Sequence, residues 1–156
     1  MGQETERKFL VKSKGWESLK LIKKVSIKQG YLSKDRNATV RVRVTDDAAF
    51  ITIKGPTHNI TCDEFEYEIP HADGLLLLLH CPLPHIVKSR RYVRDAHNQL
   101  WEIDAFKGVN KGLKMVEIEL TSEDEVVVIP DWVGREVSHD RRYKNTYLAE
   151  NKVPTE

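Results

Sequence analysis

The sequence has only two cysteines, Cys62 and Cys81, and they are not in Cys-x-x-Cys spacing. This excludes a disulfide scaffold and a closed thiolate zinc site, and points to a reduced, cytoplasmic protein. No excess of charge exists either: 25 Lys and Arg stand against 24 Asp and Glu, for a net charge of +1. Attraction to nucleic acid or to a membrane surface cannot then come from bulk electrostatics, and neither partner is expected. Long apolar runs are also missing, since Leu75 to Leu79 is too short to span a bilayer. The first eleven residues carry acids and lack the apolar stretch of a secretory signal. There is no Gly-x-x-x-x-Gly-Lys phosphate loop and no His-Glu-x-x-His pair. His58, His71, His80, His85, His97 and His139 fall mostly in loops or at helix ends, as solvated or capping residues rather than metal ligands.

What is present is alternation. The 156 residues, 40% hydrophobic and 31% charged, suit one folded domain spanning residues 1–156. Period-two patterning over 4–11, 26–33, 39–45, 50–54, 64–69, 86–94, 100–106 and 115–120 predicts about eight strands, punctuated by Asp-, Asn-, Gly- and Pro-rich turns. Four stretches read as helical. Trp16, Leu19 and Ile22 recur at three-residue steps over 15–22, and Asp73 caps the leucine run. Ser122 with Glu125 forms a capping box before Val126 to Ile129, and Tyr143 and Tyr147 lie one turn apart in a closing helix that ends near Glu150.

The informative feature is the sign of the charges that alternate. Successive strand residues point to opposite faces, so Glu4, Glu6 and Lys8 share one face. The same geometry pairs Arg41 with Arg43, Glu66 with Glu68, Lys88 with Arg90, Glu102 with Asp104 and Glu117 with Glu119, and sets Lys54 beside Thr52. The opposite face is largely apolar, with Val40, Val42, Val44, Ile51, Ile53, Phe65, Tyr67, Ile69, Ile103, Val116, Ile118 and Leu120. A sheet with one polar face in water would give the alternation, but a solvated face mixes signs, whereas here like charges stand two apart. Something compensates them. Clustered carboxylates call for a hard divalent cation, and clustered Arg and Lys for phosphate oxygens. A metal-bound polyphosphate satisfies both. Eight strands can close into a barrel around a small ligand, and the outward apolar faces would then need covering by helices or a second subunit.

Glu4-x-Glu6-x-Lys8 at the N-terminus resembles the signature of the CYTH superfamily, the triphosphate tunnel metalloenzymes. The resemblance continues, in order, through Gln29-Gly30-Tyr31-Leu32, Arg41-Val42-Arg43, Thr52-Ile53-Lys54, Glu66-Tyr67-Glu68-Ile69, Lys88-Ser89-Arg90, Trp101-Glu102-Ile103-Asp104, Val116-Glu117-Ile118-Glu119 and Arg142-Tyr143-Lys144-Asn145. It implies an α+β fold: an eight-stranded antiparallel β-barrel, the triphosphate tunnel, with a charged interior and flanking helices. It also implies Mg²⁺ or Mn²⁺, as two ions. By motif, Glu4, Glu6, Glu117 and Glu119 are metal ligands, and Glu102 and Asp104 sit near a second ion or the attacking water. Glu66 and Glu68 are ligands, orienting groups or partners of the basic residues. Lys8, Arg41, Arg43, Lys54, Lys88, Arg90, Arg142 and Lys144 hold phosphate, and Lys8, Glu102 and Asp104 are the catalytic candidates.

The family holds tripolyphosphatases, thiamine triphosphatases and class IV adenylate cyclases, so fold alone leaves the reaction open. Hydrolysis of inorganic triphosphate to phosphate and pyrophosphate is the reading preferred, because the motifs serve phosphate and metal and no segment is set aside for a base. The alternatives are cyclisation of ATP to cyclic AMP and pyrophosphate, and hydrolysis of ATP or thiamine triphosphate. The expected partners are a triphosphate-containing small molecule and a second copy of the chain in a homodimer.

Overall fold

A computed structural model describes residues 2–152. Its strands are β1 (Gln3–Val11), β2 (Lys20–Asp35), β3 (Ala38–Val44), β4 (Ala49–His58), β5 (Thr61–Ile69), β6 (Ile86–Arg94), β7 (Leu100–Phe106), β8 (Lys114–Glu119) and β9 (Val133–Glu136). The two α-helices are α1 (His71–Leu78) and α2 (Asn145–Leu148). The order β5-β4-β3-β2-β6-β7-β8-β1 closes because β1 also pairs with β5, giving an eight-stranded antiparallel barrel. β1 meets β5 along Gln3 to Thr5; further along, the short β9 pairs with it at Phe9 and Val11.

Alternation marks β6 and β7 residue for residue; β1, β2, β4 and β5 run beyond the expected ends, and β3 and β8 begin and end one residue earlier than expected. The helices differ more. Only Gly15–Ser18 forms a single 3₁₀ turn, and from Lys20 onward the chain is strand. The three-residue spacing of Trp16, Leu19 and Ile22 mimics a helix, but Lys20 to Gln29 are held by the ladder to β6, and tertiary pairing overrides the local pattern. The Ser122 capping box does not form a helix. Glu125 turns its carboxylate back to accept from the backbone N–H and the hydroxyl of Thr121, and 125–130 carry no regular structure. The closing helix is a 3₁₀ turn, Arg141–Tyr143, followed by the single-turn α2. α1 starts after Pro70, two residues ahead of Asp73, which makes no capping bond.

The outward faces are covered in two places. Phe9, Val93, Trp101, Ile103, Val116 and Ile118 pack under Trp16, Trp132 and Val133, with Trp101 edge-on to both Phe9 and Trp132. Val42, Val44 and Ala49 pack under Leu78 and Cys81. α1 approaches so closely that a Cβ on Gly74 would lie 2.4 Å from that of Ala49, so only glycine fits there. Burial of each large side chain in these clusters contributes about 1.5–3 kcal/mol. Phe65 and Tyr67, expected on the apolar face, remain 45% and 59% exposed, and of the apolar residues on that face of β5 only Ile69 packs against the cluster beneath α1. Among the described residues no helix is long and apolar enough to cross a membrane.

The β6–β7 hairpin carries much of the interior chemistry and is held by one carboxylate. Asp95 accepts hydrogen bonds from the backbone N–H groups of His97 and Gln99, from Gln99 Nε2 at 2.7 Å and from Trp101 Nε1 at 2.9 Å. Burial opposes its charge, but the bonds from Trp101, Gln99 and His97 outweigh that and hold its pKa below the ordinary value. Asp95→Ala is expected to lower stability by about 2 kcal/mol, read as a reduced urea midpoint at constant slope. The lowered pKa means that this contribution is present at neutral pH and fades as pH falls through the carboxylate range, so wild type and variant converge in acid.

Candidate active site

Residues opposite one another across antiparallel strands share a face, so the register defines the barrel's inner wall. Glu6 faces Glu119, Lys8 faces Glu117, and Glu117 faces Glu102. Further round, Arg90 faces Asp104, Arg43 faces Gln29, Arg41 faces Thr52, Thr52 faces Glu66 and Lys54 faces Glu64. At one end the same face turns apolar. Tyr31, Ile86, Phe106 and Met115 pack against Tyr143, Leu148 and Ala149, so the C-terminal segment closes that end. At the other, Glu102 and Glu119 line a cleft of ≈ 650 Å³ with Arg94, His97 and Gln99.

Arg90 is the hub of one wall. Its Nε and Nη2 donate to the two oxygens of Asp104 at 2.7 and 2.8 Å, and its Nη1 donates to Glu102 at 2.7 Å. Glu117 lies 3.7 Å from the same guanidinium and 3.6 Å from Lys8 Nζ. Lys88, 1% exposed, sits 2.7 Å from Asp104 and donates to Asn145 Oδ1 of α2 at 3.1 Å. On the facing wall Lys54 bridges Glu4 at 2.7 Å and Glu64 at 3.3 Å. Arg41 donates to Thr52 Oγ1, whose hydroxyl donates to Glu66, while Arg43 Nε donates to Gln29 Oε1 at 2.9 Å.

Burial and crowded like charges shift the ionisable groups of the inner wall in both directions. Burial, with Glu117 and Glu4 close by, pushes Glu6 well above the usual carboxylate range, and burial beside Glu4 and Glu117 raises Glu119. Burial takes Glu102 up to about 7 even against the pull of Arg90. Glu117 goes the other way. Burial opposes its charge, but Lys8, Arg90 and Lys88 hold it well below the range. Burial, reinforced by Arg41 and Arg90, lowers Arg43 to about 10, and burial lowers Lys88 to about 7 despite Asp104.

The structure therefore brings together Glu4, Glu6, Lys8, Arg41, Arg43, Lys54, Lys88, Arg90, Glu102, Asp104, Glu117 and Glu119 on the inner wall. Lys144, at the start of α2, is near enough to Lys8 and Lys54 for their charges, after burial, to lower its pKa. Glu66 belongs to the Arg41–Thr52 chain, and Glu68 is exposed at the end of β5. Arg142 is not brought in: its side chain is half exposed and forks onto Asp140 at 2.9 and 2.7 Å. Gln29, Glu64 and Asn145 belong to the interior and were not anticipated as site residues. Glu64 could have been found from its parity with Glu66.

Among the described residues no three carboxylate, imidazole or thiol groups converge as a ready cation cage: Glu4, Glu102, Asp104 and Glu117 lean toward Lys or Arg instead. The donor set nevertheless fits a hard cation. Glu4, Glu6, Glu117 and Glu119 supply only oxygen, and the raised Glu6 and Glu119 show carboxylates crowded beyond the positive charge near them.

A closed antiparallel barrel with an ionised lining defines a class, and comparison with known proteins places the chain in it. The CYTH domain model matches residues 2–151, and the chain belongs to that family. A protein of Acetivibrio thermocellus named inorganic triphosphatase is 40% identical over 151 residues, 97% of this chain and 96% of its own. One from Nitrosomonas europaea with the same name is 33% identical, over 94% of this chain and 96% of its own. The solved crystal structure of an inorganic triphosphatase superposes with a TM-score of 0.70 at 33% identity, covering 95% of each chain.

Proposed function

We propose that this protein is a metal-dependent inorganic triphosphatase, hydrolysing inorganic triphosphate to phosphate and pyrophosphate inside the barrel. The observation that carries the reading is the inner wall itself, where Lys8, Arg41, Arg43, Lys54, Lys88 and Arg90 interleave with Glu4, Glu6, Glu64, Glu102, Asp104, Glu117 and Glu119, cations for phosphate beside carboxylates for a metal. The names of the relatives at 40% and 33% identity support the same reaction.

In this reading Lys8, Arg41, Arg43, Lys54, Lys88 and Arg90 exchange carboxylate partners for phosphate oxygens, which guanidinium groups grip in pairs. Glu4, Glu6, Glu117 and Glu119, with Glu102 and Asp104, would hold Mg²⁺ or Mn²⁺, two ions in all. When bound, such ions neutralise phosphate oxygens and acidify water. Glu102, beside the open cleft, takes the proton of the attacking water, with Asp104 anchored next to it by Arg90. Water oxygen bonds to a terminal phosphorus as the bridging P–O bond breaks, and the electron pair leaves with pyrophosphate. Lys8, Lys88 and Arg90 stabilise the charge that develops there. Glu66 orients Arg41 through Thr52, and Lys144 borders the phosphate from α2. The enzyme is read as cytoplasmic and homodimeric, with a second copy covering the exposed Leu75, Leu76 and Leu79 of the α1 region.

The test offers inorganic triphosphate and ATP separately with Mg²⁺ or Mn²⁺ and resolves phosphate, pyrophosphate, ADP and cyclic AMP. Phosphate and pyrophosphate in equal amounts from triphosphate, with little turnover of ATP, is the expected result. Cyclic AMP with pyrophosphate from ATP would overturn it in favour of a cyclase.

A further inference from the structure

We propose that Gln29 is a substrate-binding residue of the barrel, its side-chain amide donating to a phosphate oxygen through Nε2 while its Oε1 fixes the guanidinium of Arg43. The inference rests on the triphosphatase reading and names a contact that the charge pattern does not include. Gln29 is fully buried and lies on the inner wall, opposite Arg43 on one side and Ile86 on the other. Arg43 Nε donates to its Oε1 at 2.9 Å, so the amide cannot be flipped: guanidinium has no acceptor to offer. That leaves Nε2 facing away from Arg43, and it has no partner.

Among the described residues, one other buried side-chain nitrogen or oxygen lacks a hydrogen bond, and it is Arg41 Nε. The register sets Tyr31 opposite Arg41 and Gln29 opposite Arg43, so Gln29 and Arg41 are diagonal neighbours on the same face. Two buried, unmet donors side by side are costly to keep, and buried polar groups are otherwise almost always satisfied. Both ask for an acceptor. A metal cation has none to give, whereas a phosphate group presents several. A neutral donor also suits this spot because Arg41, Arg43 and Arg90 already repel one another, so an amide adds a hydrogen bond without a further charge.

The experiment is calorimetric titration of inorganic triphosphate, without metal, into wild type, Gln29→Met, Arg43→Met and the double variant. Gln29→Met is expected to weaken binding about ten- to a hundredfold, the worth of a hydrogen bond to a charged group. It should still weaken binding about tenfold in the Arg43→Met background, because Nε2 acts on its own. In turnover the loss should appear in KM more than in kcat. Unchanged affinity in Gln29→Met, or no further loss in the double variant, would overturn the inference while leaving the triphosphatase reading intact. Wild type that neither binds triphosphate nor hydrolyses it with Mg²⁺ or Mn²⁺ would remove both. If Gln29→Met does not fold, Gln29→Ala removes the amide without adding a charge; binding equal to wild type in that variant would overturn the inference, and weaker binding would support it.

Discussion

Glu6→Gln lowers the turnover of inorganic triphosphate with Mg²⁺ by about a hundredfold or more and, in the same protein, raises the thermal midpoint measured in EDTA. The two effects have one cause. Glu6 is pressed by Glu117 and Glu4 and faces Glu119, with Lys8 and Lys54 acting on it only at a distance; among the described residues no Lys or Arg makes a direct ion pair with it, whereas Lys54 takes Glu4 and Lys8 takes Glu117. Without a cation, its charge is buried against like charges, and an amide of the same shape relieves the repulsion. With a cation, that charge is what the site is built to supply. A variant that lost activity and stability together would show Glu6 to be structural. One that kept full activity would remove it from the metal-binding set. Higher Mg²⁺ should restore part of the rate, since the defect lies in affinity for the ion.

Arg90→Met has the larger effect on the fold. The guanidinium satisfies both oxygens of Asp104 and one of Glu102, residues that are 1% and 7% exposed. Removing it leaves Glu102 desolvated and without its ion-pair partner and Asp104 held by Lys88 alone, at a cost of about 3–5 kcal/mol. The urea midpoint should fall accordingly. Hydrolysis should fall by about a hundred- to a thousandfold, the usual effect of losing a donor aimed at transition-state charge. These effects are separable. Arg90→Met combined with Glu102→Leu removes the stranded carboxylate with its partner and leaves the Lys88–Asp104 pair in place, so stability should recover in large part while hydrolysis does not. Recovery of both would assign Arg90 a purely structural role.

The inner wall was legible because charge and parity are written in the sequence. Once strands are assumed, Arg41 and Arg43 or Glu102 and Asp104 must share a face, and the register confirms that they do. β6 and β7 were legible to the residue because the Asp95 turn separates two uninterrupted alternating runs. β9 was not, since four residues with a glycine among them carry no period. The first half of β2 was misread because Lys20 to Lys24 are exposed on both faces, so no burial pattern sets their period. Arg142 shows a different limit. Its motif suits phosphate, but Asp140 two residues earlier captures it outside the barrel, and local pairing of this kind has no signature distinct from the motif. Gln29 was hidden for the opposite reason: it carries no charge, and its role depends on which side of the amide Arg43 occupies.

In the proposed function one barrel interior holds divalent cations at its carboxylates and the phosphates of the substrate at its Lys and Arg residues. Manganese anomalous scattering from crystals grown with Mn²⁺ and inorganic triphosphate tests it most directly. The predicted map places the ion signal among Glu4, Glu6, Glu117 and Glu119, with the triphosphate within hydrogen-bonding distance of Arg41, Arg43, Lys88 and Arg90. Ion density confined to Glu66, Glu68 or the outer surface, or triphosphate bound outside the barrel, would contradict it.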